Sequence, residues 1–401
     1  MKASRVVIVG ASLAGVRCAE ALRRHGHEGS IALLGSELHR PYDRPPLSKQ
    51  FLAGVADRDR LWLSRDDTAL ADQGITHHPG VTATSLDLAA RTVHTTGGAF
   101  PFDSLVIATG TSVRRLPHAE GAPVFTLRTL DDAEALAPKL VAGARVVVVG
   151  AGFIGAEVAS TAGAKGCSVT VVEAAPVPLE RQLGEAMGSA CAALHERNGT
   201  RLIVGVGVAS IEADGVHLDD GSVIGADVIV VGIGVVPNTG WLEGSGVALV
   251  DGVLCDATCR VVDASSNVVE RVVACGDVAR WPNHRYGEVM RIEHWTNAVE
   301  MAEHAAQTLL GGTEPFMPVP YFWSDQYSTK IQFLGRSSGF DEVRVVDGDP
   351  AAGVGVAIYR KDDQLIGALG LNRIKALMGY RALLSDGATW ATALDHAGVA
   401  T

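Results

Sequence analysis

Four carboxylates, one lysine and two glycine clusters carry most of the chemistry that this sequence can offer. From Arg145 the chain runs through the β-branched stretch Val146 to Val149 into Gly150-Ala151-Gly152-Phe153-Ile154-Gly155, then a small-residue segment with helical character, then Ser168 to Val172 ending on Glu173. That order is strand, glycine turn, helix, strand. Glycines at these positions suit a tight turn, close approach of backbone to a pyrophosphate and close helix packing, while the start of the helix offers free N–H groups and positive dipole to phosphates. Glu173 stands eighteen residues after Gly155, near the ~20 expected of an acid that accepts from a ribose 2′-hydroxyl. The N-terminus repeats the pattern. Arg5 to Val9 reads as a strand, Gly10-Ala11-Ser12-Leu13-Ala14-Gly15 as the turn, Val16 to His25 as a helix and Ile31 to Leu34 as the next strand. Ser12 takes the middle glycine position, and Gly35 falls where strand alignment puts Glu173, which leaves Glu37 as the candidate ribose acid.

The elements needed to position these groups are also duplicated. The stretch from Ser85-Leu86-Asp87 to Asp103-Ser104-Leu105-Val106-Ile107-Ala108-Thr109-Gly110 parallels that from Ser210-Ile211-Glu212 to Asp227-Val228-Ile229-Val230-Val231-Gly232-Ile233-Gly234. Two copies of a nucleotide-binding architecture imply two nucleotide cofactors, and by analogy oxidoreductases with two pair FAD with NAD(P). Further on, Val272 to Asp277 is an apolar strand ending in Gly276-Asp277, and Trp295 to Leu310 an amphipathic helix with Ala298, Met301, Ala302 and Ala305 as its apolar stripe. From Val319 the pattern becomes antiparallel α+β: short strands at Tyr321-Phe322-Trp323, Lys330 to Leu334, Glu342 to Val346, Val354 to Tyr359 and Leu365 to Leu369, then a helix over Asn372 to Leu384.

Composition narrows the class. The 401 residues suit two or three domains, and 47% hydrophobic content supplies buried parallel sheets. A formal charge of −11 argues against bulk affinity for nucleic acid or anionic lipid. The longest apolar run, around Val228 to Val236, is broken by Gly232 and Gly234, so no membrane span is expected. Lys2 and Arg5 ahead of Val6 to Val9 imitate a leader, but the run passes straight into the glycine turn and reads as the start of the fold. Six scattered cysteines (Cys18, Cys167, Cys191, Cys255, Cys259, Cys275) fit a reducing cytoplasm. No second Cys or His pair accompanies Cys255 and Cys259, so no metal site is expected.

Taken together, Arg44-Pro45-Pro46-Leu47-Ser48-Lys49, Ile107 to Gly110, Gly150 to Glu157, Ala274 to Asp277, Glu293-His294-Trp295-Thr296-Asn297-Ala298 and Trp323-Ser324-Asp325-Gln326 resemble the FAD-dependent NADH:ferredoxin reductases of the glutathione-reductase structural class, over essentially the whole length. The nearest types serve cytochrome P450 and Rieske oxygenase systems. The resemblance implies an FAD domain in two parts (1–112 and 250–318), an inserted NAD domain (113–249) and a C-terminal α+β domain (319–401). It assigns Gly10, Ser12, Gly15, Glu37, Arg44, Lys49, Thr109, Gly110, Gly276, Asp277, Glu293, His294 and Trp295 to FAD. Gly150, Gly152, Phe153, Ile154, Gly155, Glu173 and Gly234 go to NAD. It also places Lys49 beside flavin N5, paired with Glu157, as the catalytic pair. From the residues alone, Lys49 equally reads as a solvated loop lysine, Glu157 as a first-turn helix acid favoured by the dipole, and Trp295 as plain packing.

Disulfide reductases of this architecture need a cysteine pair beside the flavin, and a peroxide reductase needs one cysteine there. Residues 36–66 contain none, so electrons should leave the flavin directly for a one-electron protein acceptor. The expected reaction is hydride transfer from NADH to FAD, followed by single-electron transfer to a small iron–sulfur ferredoxin. Glu173, with Ala174 and Ala175 after it, predicts NADH over NADPH, since a 2′-phosphate would meet a carboxylate and no arginine. Small ferredoxins are usually acidic, so a basic docking patch is expected, with Arg280, Arg285 and Arg291 as candidates beside His284, and with Lys330 and Arg336 adjoining. A cytoplasmic monomer or weak homodimer is expected. The competing readings are a rubredoxin reductase and an NADH-binding flavoprotein with a signalling or assembly role, such as relatives of apoptosis-inducing factor.

Overall fold

The computed structural model describes residues 4–64, 66 and 68–399. Its contacts divide the chain into two compact units. The first comprises Met1–Asp43, Leu61–Ser112 and Val236–Pro320; the second comprises Arg44–Arg60, Val113–Val235 and Tyr321–Thr401.

In the first unit a six-stranded sheet runs in the order Arg260–Val262, Val268–Ala274, Ser104–Ile107, Val6–Val9, Ile31–Gly35, Ile75–Pro79. Only the Arg260–Val262 edge strand is antiparallel to its neighbour. The central strands are buried along their whole length, which is why they read as continuous β-branched and aliphatic runs rather than alternating ones. The helices Leu13–Arg24 and Trp295–Leu309 pack together, and the predicted stripe of Ala298, Met301, Ala302 and Ala305 is buried. The first helix starts three residues earlier than the sequence suggests because Ser12, in extended conformation, ends the turn as the N-cap residue.

The second unit holds a five-stranded parallel sheet ordered Arg201–Val204, Ser168–Glu173, Arg145–Val149, Val228–Val231, Val124–Phe125. It also holds an antiparallel five-stranded sheet ordered Tyr321–Gln326, Thr329–Gly335, Gln364–Leu371, Val354–Lys361, Glu342–Asp349. The helix expected over 372–384 forms at Ile374–Asp386, and a further helix, Trp390–Ala397, follows it, capped by Thr389. Arg44–Arg60, a segment from early in the sequence, packs here through a short π-helix, Leu47–Phe51. The architecture is thus α/β with two dinucleotide-type sheets and a C-terminal α+β portion.

The internal duplication extends to single hydrogen bonds. Three-stranded antiparallel side sheets follow in both copies, at Ala83–Pro101 and Val208–Gly225. In the first copy Arg5 grips Asp103 through its backbone N (2.7 Å), Nε (3.2 Å) and Nη2 (3.1 Å). In the second, Arg145 grips Asp227 in the same three ways, at 2.9, 3.1 and 2.7 Å. Each clamp ties the start of the central strand to the residue that opens its parallel neighbour. The arginine lowers the carboxyl of Asp103 and of Asp227 to about 2, chiefly by side-chain hydrogen bonding.

Candidate functional site

Both glycine turns are dictated by sterics. Gly10 has φ +117° and a Cβ there would lie 2.0 Å from the Ala108 carbonyl oxygen; Gly150 has φ +101° and its Cβ would lie 2.4 Å from that of Gly232. The last glycines are excluded from bearing side chains by the first: a Cβ on Gly15 would come within 1.8 Å of the Gly10 oxygen, and on Gly155 within 2.1 Å of the Gly150 oxygen. The middle position differs. Gly152 has φ −71° and open space for 4 Å around a Cβ, so its neighbours do not require glycine, and Ser12 occupies the matching place at φ −99°. The helices that follow carry no acid in their first turns. An anionic pyrophosphate fits each turn: a helix N-terminus with a favourable dipole, no acid in the first turn of the helix and, at Gly152, an unfilled cradle.

The acids after the second strands are placed by register. Val9 pairs with Leu34 and Val149 with Val172, so Gly35 and Glu173 occupy corresponding positions. Glu173 turns its carboxylate back on the turn, Oε2 accepting from the Ala151 N–H at 2.7 Å and Oε1 from the Ala175 N–H at 2.9 Å. A side chain at Gly35 would meet Ala11, its Cβ 2.8 Å from that of Ala11. The acid of the first copy is displaced into the loop as Glu37, which accepts a hydrogen bond from the Tyr42 hydroxyl.

The Glu157 carboxylate is buried and surrounded by protein donors. It is 3% exposed. Its Oε2 accepts from Ser48 Oγ at 2.5 Å and Lys49 Nζ at 2.8 Å; its Oε1 accepts from Ser324 Oγ at 2.7 Å and the Asp325 N–H at 3.3 Å. Such a set offsets the cost of burying an ionised group, and the loss of any one donor leaves part of that cost uncovered. The helix starts at Phe153, so Glu157 lies in its second turn and the first-turn helix-acid reading does not hold. Lys49 is no solvated loop lysine: its side chain is 13% exposed and Nζ also reaches the Pro45 carbonyl at 3.1 Å. Arg44 Nη1 holds the Arg128 carbonyl at 2.6 Å, and Thr161 Oγ1 holds that of Ser48 at 2.8 Å, fixing the proline segment at both ends. Sequence reading found Lys49 and Glu157 and missed Ser48 and Ser324 as their partners. A serine directly after three aromatic residues, as Ser324 is, gives no local sign that it will face a carboxylate.

In the first unit Thr111 Oγ1 reaches Asp277 Oδ2 at 3.3 Å, and Gly276 has φ +74° with a Cβ position 2.8 Å from Ala14 Cβ. Thr109 Oγ1 donates to the Asn238 carbonyl at 2.8 Å, and Asn238 Nδ2 returns a bond to the Thr109 carbonyl at 2.9 Å; Gly110 follows with φ +62°. Trp295 Nε1 donates to Asp43 Oδ1 at 2.7 Å, with His294 as the helix N-cap residue. In the second unit Gly234, at φ +96°, accepts from the Arg114 N–H at 2.9 Å. The three arginines proposed for docking are not equivalent. Arg291 is 11% exposed and bonds inward to Glu293 (2.7 Å), the Asp277 carbonyl (3.1 Å) and Asp251 (3.3 Å). Arg280 pairs with Asp251 at 3.1 Å, whereas Arg285 Nε contacts the Met317 carbonyl at 3.3 Å.

All six cysteines are free thiols. Burial pushes the Cys191 thiol up to about 12 and raises those of Cys18, Cys255 and Cys259, with Cys275 acting on Cys18 by hydrogen bonding first. These are inert groups rather than a redox couple. Among the described residues no helix is long and apolar enough to cross a membrane, and no group of acid, His and Cys side chains could hold a metal.

Residues 4–302 match the family described as pyridine nucleotide-disulphide oxidoreductase, and residues 321–397 match the domain described as reductase C-terminal. The chain is 37% identical over 388 residues to rhodocoxin reductase of Rhodococcus erythropolis, covering 95% of this chain and 89% of that one. It is 36% identical over 397 residues to the anthranilate 1,2-dioxygenase system ferredoxin–NAD(+) reductase component of Burkholderia cepacia, covering 97% and 96%. The reductase in the covalent putidaredoxin reductase–putidaredoxin complex superposes with a TM-score of 0.90 at 33% identity, covering 96% of this chain and 93% of that one. With its two glycine turns, its duplicated sheets and these matches over nearly its whole length, the chain belongs to the pyridine nucleotide-disulphide oxidoreductase family.

Proposed function

We propose that this protein is an NADH-dependent, FAD-containing ferredoxin reductase that passes electrons to a small iron–sulfur ferredoxin serving a cytochrome P450 or another oxygenase. The observation that carries the reading is the buried Lys49–Glu157 pair in a chain with two glycine turns and no cysteine between residues 36 and 66. Of the relatives named above, one is the ferredoxin–NAD(+) reductase component of a dioxygenase system and another is a rhodocoxin reductase, which supports the same acceptor class. When bound, NADH at the second turn would supply a two-electron donor, and FAD at the first turn a carrier that can release electrons singly.

The chain's own residues orient and tune. Gly10, Ser12, Gly15, Glu37, Arg44, Thr109, Gly110, Gly276, Asp277, Glu293, His294 and Trp295 hold FAD; Gly150, Gly152, Phe153, Ile154, Gly155 and Gly234 hold NAD. Division by cofactor gives 1–112 with 250–318 to FAD, 113–249 to NAD and 319–401 to the C-terminal domain. Glu173, aimed at the turn by the Ala151 N–H, accepts from the ribose 2′-hydroxyl and repels a 2′-phosphate. Lys49 presents a fixed positive charge, held by Glu157, where the reduced ring gains negative charge; no general base is required. Arg285 leads the docking patch with Arg280, while the more deeply buried Arg291 supports it from below. A monomer or weak homodimer suffices for this work.

The test is direct. Purified protein should carry FAD by its visible spectrum, be reduced by NADH far faster than by NADPH, and reduce a [2Fe–2S] ferredoxin in turnover. Failure to reduce any ferredoxin or rubredoxin, with a long-lived reduced flavin–NAD complex, would favour the signalling alternative. Arg285→Glu should raise the KM for ferredoxin and flatten its dependence on salt; an unchanged KM and salt slope would remove this segment from the interface.

A further inference from the structure

The helix Phe153–Ala164 presents Phe153, Glu157 and Ser160 at i, i+4 and i+7, which is a single stripe. The strand Tyr321–Gln326 and the residue just past it lie along that stripe. Phe322 packs on Phe153 with ring centroids 4.6 Å apart, Ser324 Oγ donates to Glu157 Oε1 at 2.7 Å, and the Tyr327 N–H donates to Ser160 Oγ at 2.7 Å. Ser324 is fully buried. Gln326 Nε2 donates to Ser324 Oγ at 3.3 Å, so the hydroxyl accepts on one side and donates to the carboxylate on the other, an arrangement in which each bond polarises the next. The two oxygens of Glu157 are therefore divided by partner: Oε1 belongs to the C-terminal strand, Oε2 to Ser48 and Lys49. A carboxylate is rigid and planar, so fixing one oxygen fixes where the other points.

We propose that Ser324, with Ser48, is a positioning residue for the Lys49–Glu157 pair. The C-terminal strand holds Oε1 so that Oε2 is presented to Lys49 in one orientation. The inference rests on the reading that Lys49 acts beside the flavin. Ser160 provides the contrast within the same packing seam, because its hydroxyl anchors the strand's end and is not among the donors to Glu157.

The experiment uses the FAD-loaded protein and three readouts: the flavin midpoint potential, the pH profile of flavin bleaching by NADH, and Tm. Ser324→Ala should move the potential in the same direction as Glu157→Gln, by less, and slow bleaching about tenfold, the size expected for one lost hydrogen bond to a charged group. Its effect should largely vanish in a Lys49→Met background, since residues acting through one group are not additive. Ser160→Ala should lower Tm and leave the potential and pH profile where they were. Ser324→Ala behaving like Ser160→Ala would overturn the inference. Unchanged potential and rate in Lys49→Met and Glu157→Gln would instead sink the flavin-side role of the pair, and the inference with it. Should Ser324→Ala fail to fold, Ser48→Ala loosens Oε2 from the other side and must show the same shift and the same dependence on Lys49.

Discussion

The strands Val6–Val9 and Arg145–Val149 enter turns whose hydrogen bonds correspond one for one. Gly10 N donates to Leu34 O at 2.8 Å and Gly150 N to Val172 O at 2.7 Å; Ala108 N donates to Val9 O at 2.8 Å and Gly232 N to Val149 O at 2.8 Å. Against this common backbone, two of the side-chain differences bear on the nucleotide. The middle of the turn holds Ser12 in one copy and Gly152 in the other, and the end of the second strand holds Gly35 in one and Glu173 in the other. A Cβ at Gly35 would lie 2.8 Å from that of Ala11; Glu173 is accommodated in the other copy with its carboxylate accepting from the Ala151 N–H of the turn and from the Ala175 N–H. The comparison shows the turn to be a fixed steric solution; on the proposed reading, the choice of nucleotide lies in the residues that the turn leaves free.

The largest effects should come from breaking what the copies share. Gly10→Ala and Gly150→Ala place a Cβ against backbone at a positive φ, and each should cost about 3 kcal/mol or more in chemical denaturation, the range of strained backbone with forced overlap. Gly152→Ala sharpens the contrast: a Cβ there meets nothing, so stability should stay within about 0.5 kcal/mol while the KM for NADH rises. A destabilisation equal to that of Gly150→Ala would show that the middle glycine is structural after all.

Next come the residues that differ. Glu173→Ala should narrow the preference in kcat/KM for NADH over NADPH by about tenfold, from one lost charge-assisted hydrogen bond and the lost repulsion; an unchanged ratio would move selectivity elsewhere. The smallest effect belongs to the paired clamps. Asp103 and Asp227 titrate at about 2 in the fold, below their unfolded value near 4. The clamps' contribution is thus complete above the unfolded value and is lost as pH falls from there through about 2. Asp103→Asn and Asp227→Asn should therefore lower Tm slightly at neutral pH and much less at pH 2. Equal differences at both pH values would mean that the clamps act by packing rather than charge. Both pairs are solvent-exposed, so screening keeps the effect small.

The parts legible in sequence are those that neighbours along the chain decide. The glycine turns, the apolar strands around them and the stripe of the Trp295 helix follow from local sterics and periodicity, and the C-terminal strands appear at their expected places because hairpin alternation is local too. Trp390–Ala397 escaped because one eight-residue helix carries too few repeats to stand out, although Thr389 and Gly398 cap it. Ser324 escaped for a different reason: it meets Glu157 across 167 residues of sequence.

By itself the sequence determined that two dinucleotide turns would form, because a Cβ at Gly10 or Gly150 collides with backbone in any surroundings that keep the strand pairing. Only the tertiary structure decided what Glu157 is. Its acid lies in a run of small residues that suggests nothing beyond a helix, and it becomes a buried four-donor acceptor because Ser48, Lys49, Ser324 and Asp325 arrive from two distant segments. Burial and hydrogen-bond partnership are properties of the assembled fold, and no spacing along the chain encodes them.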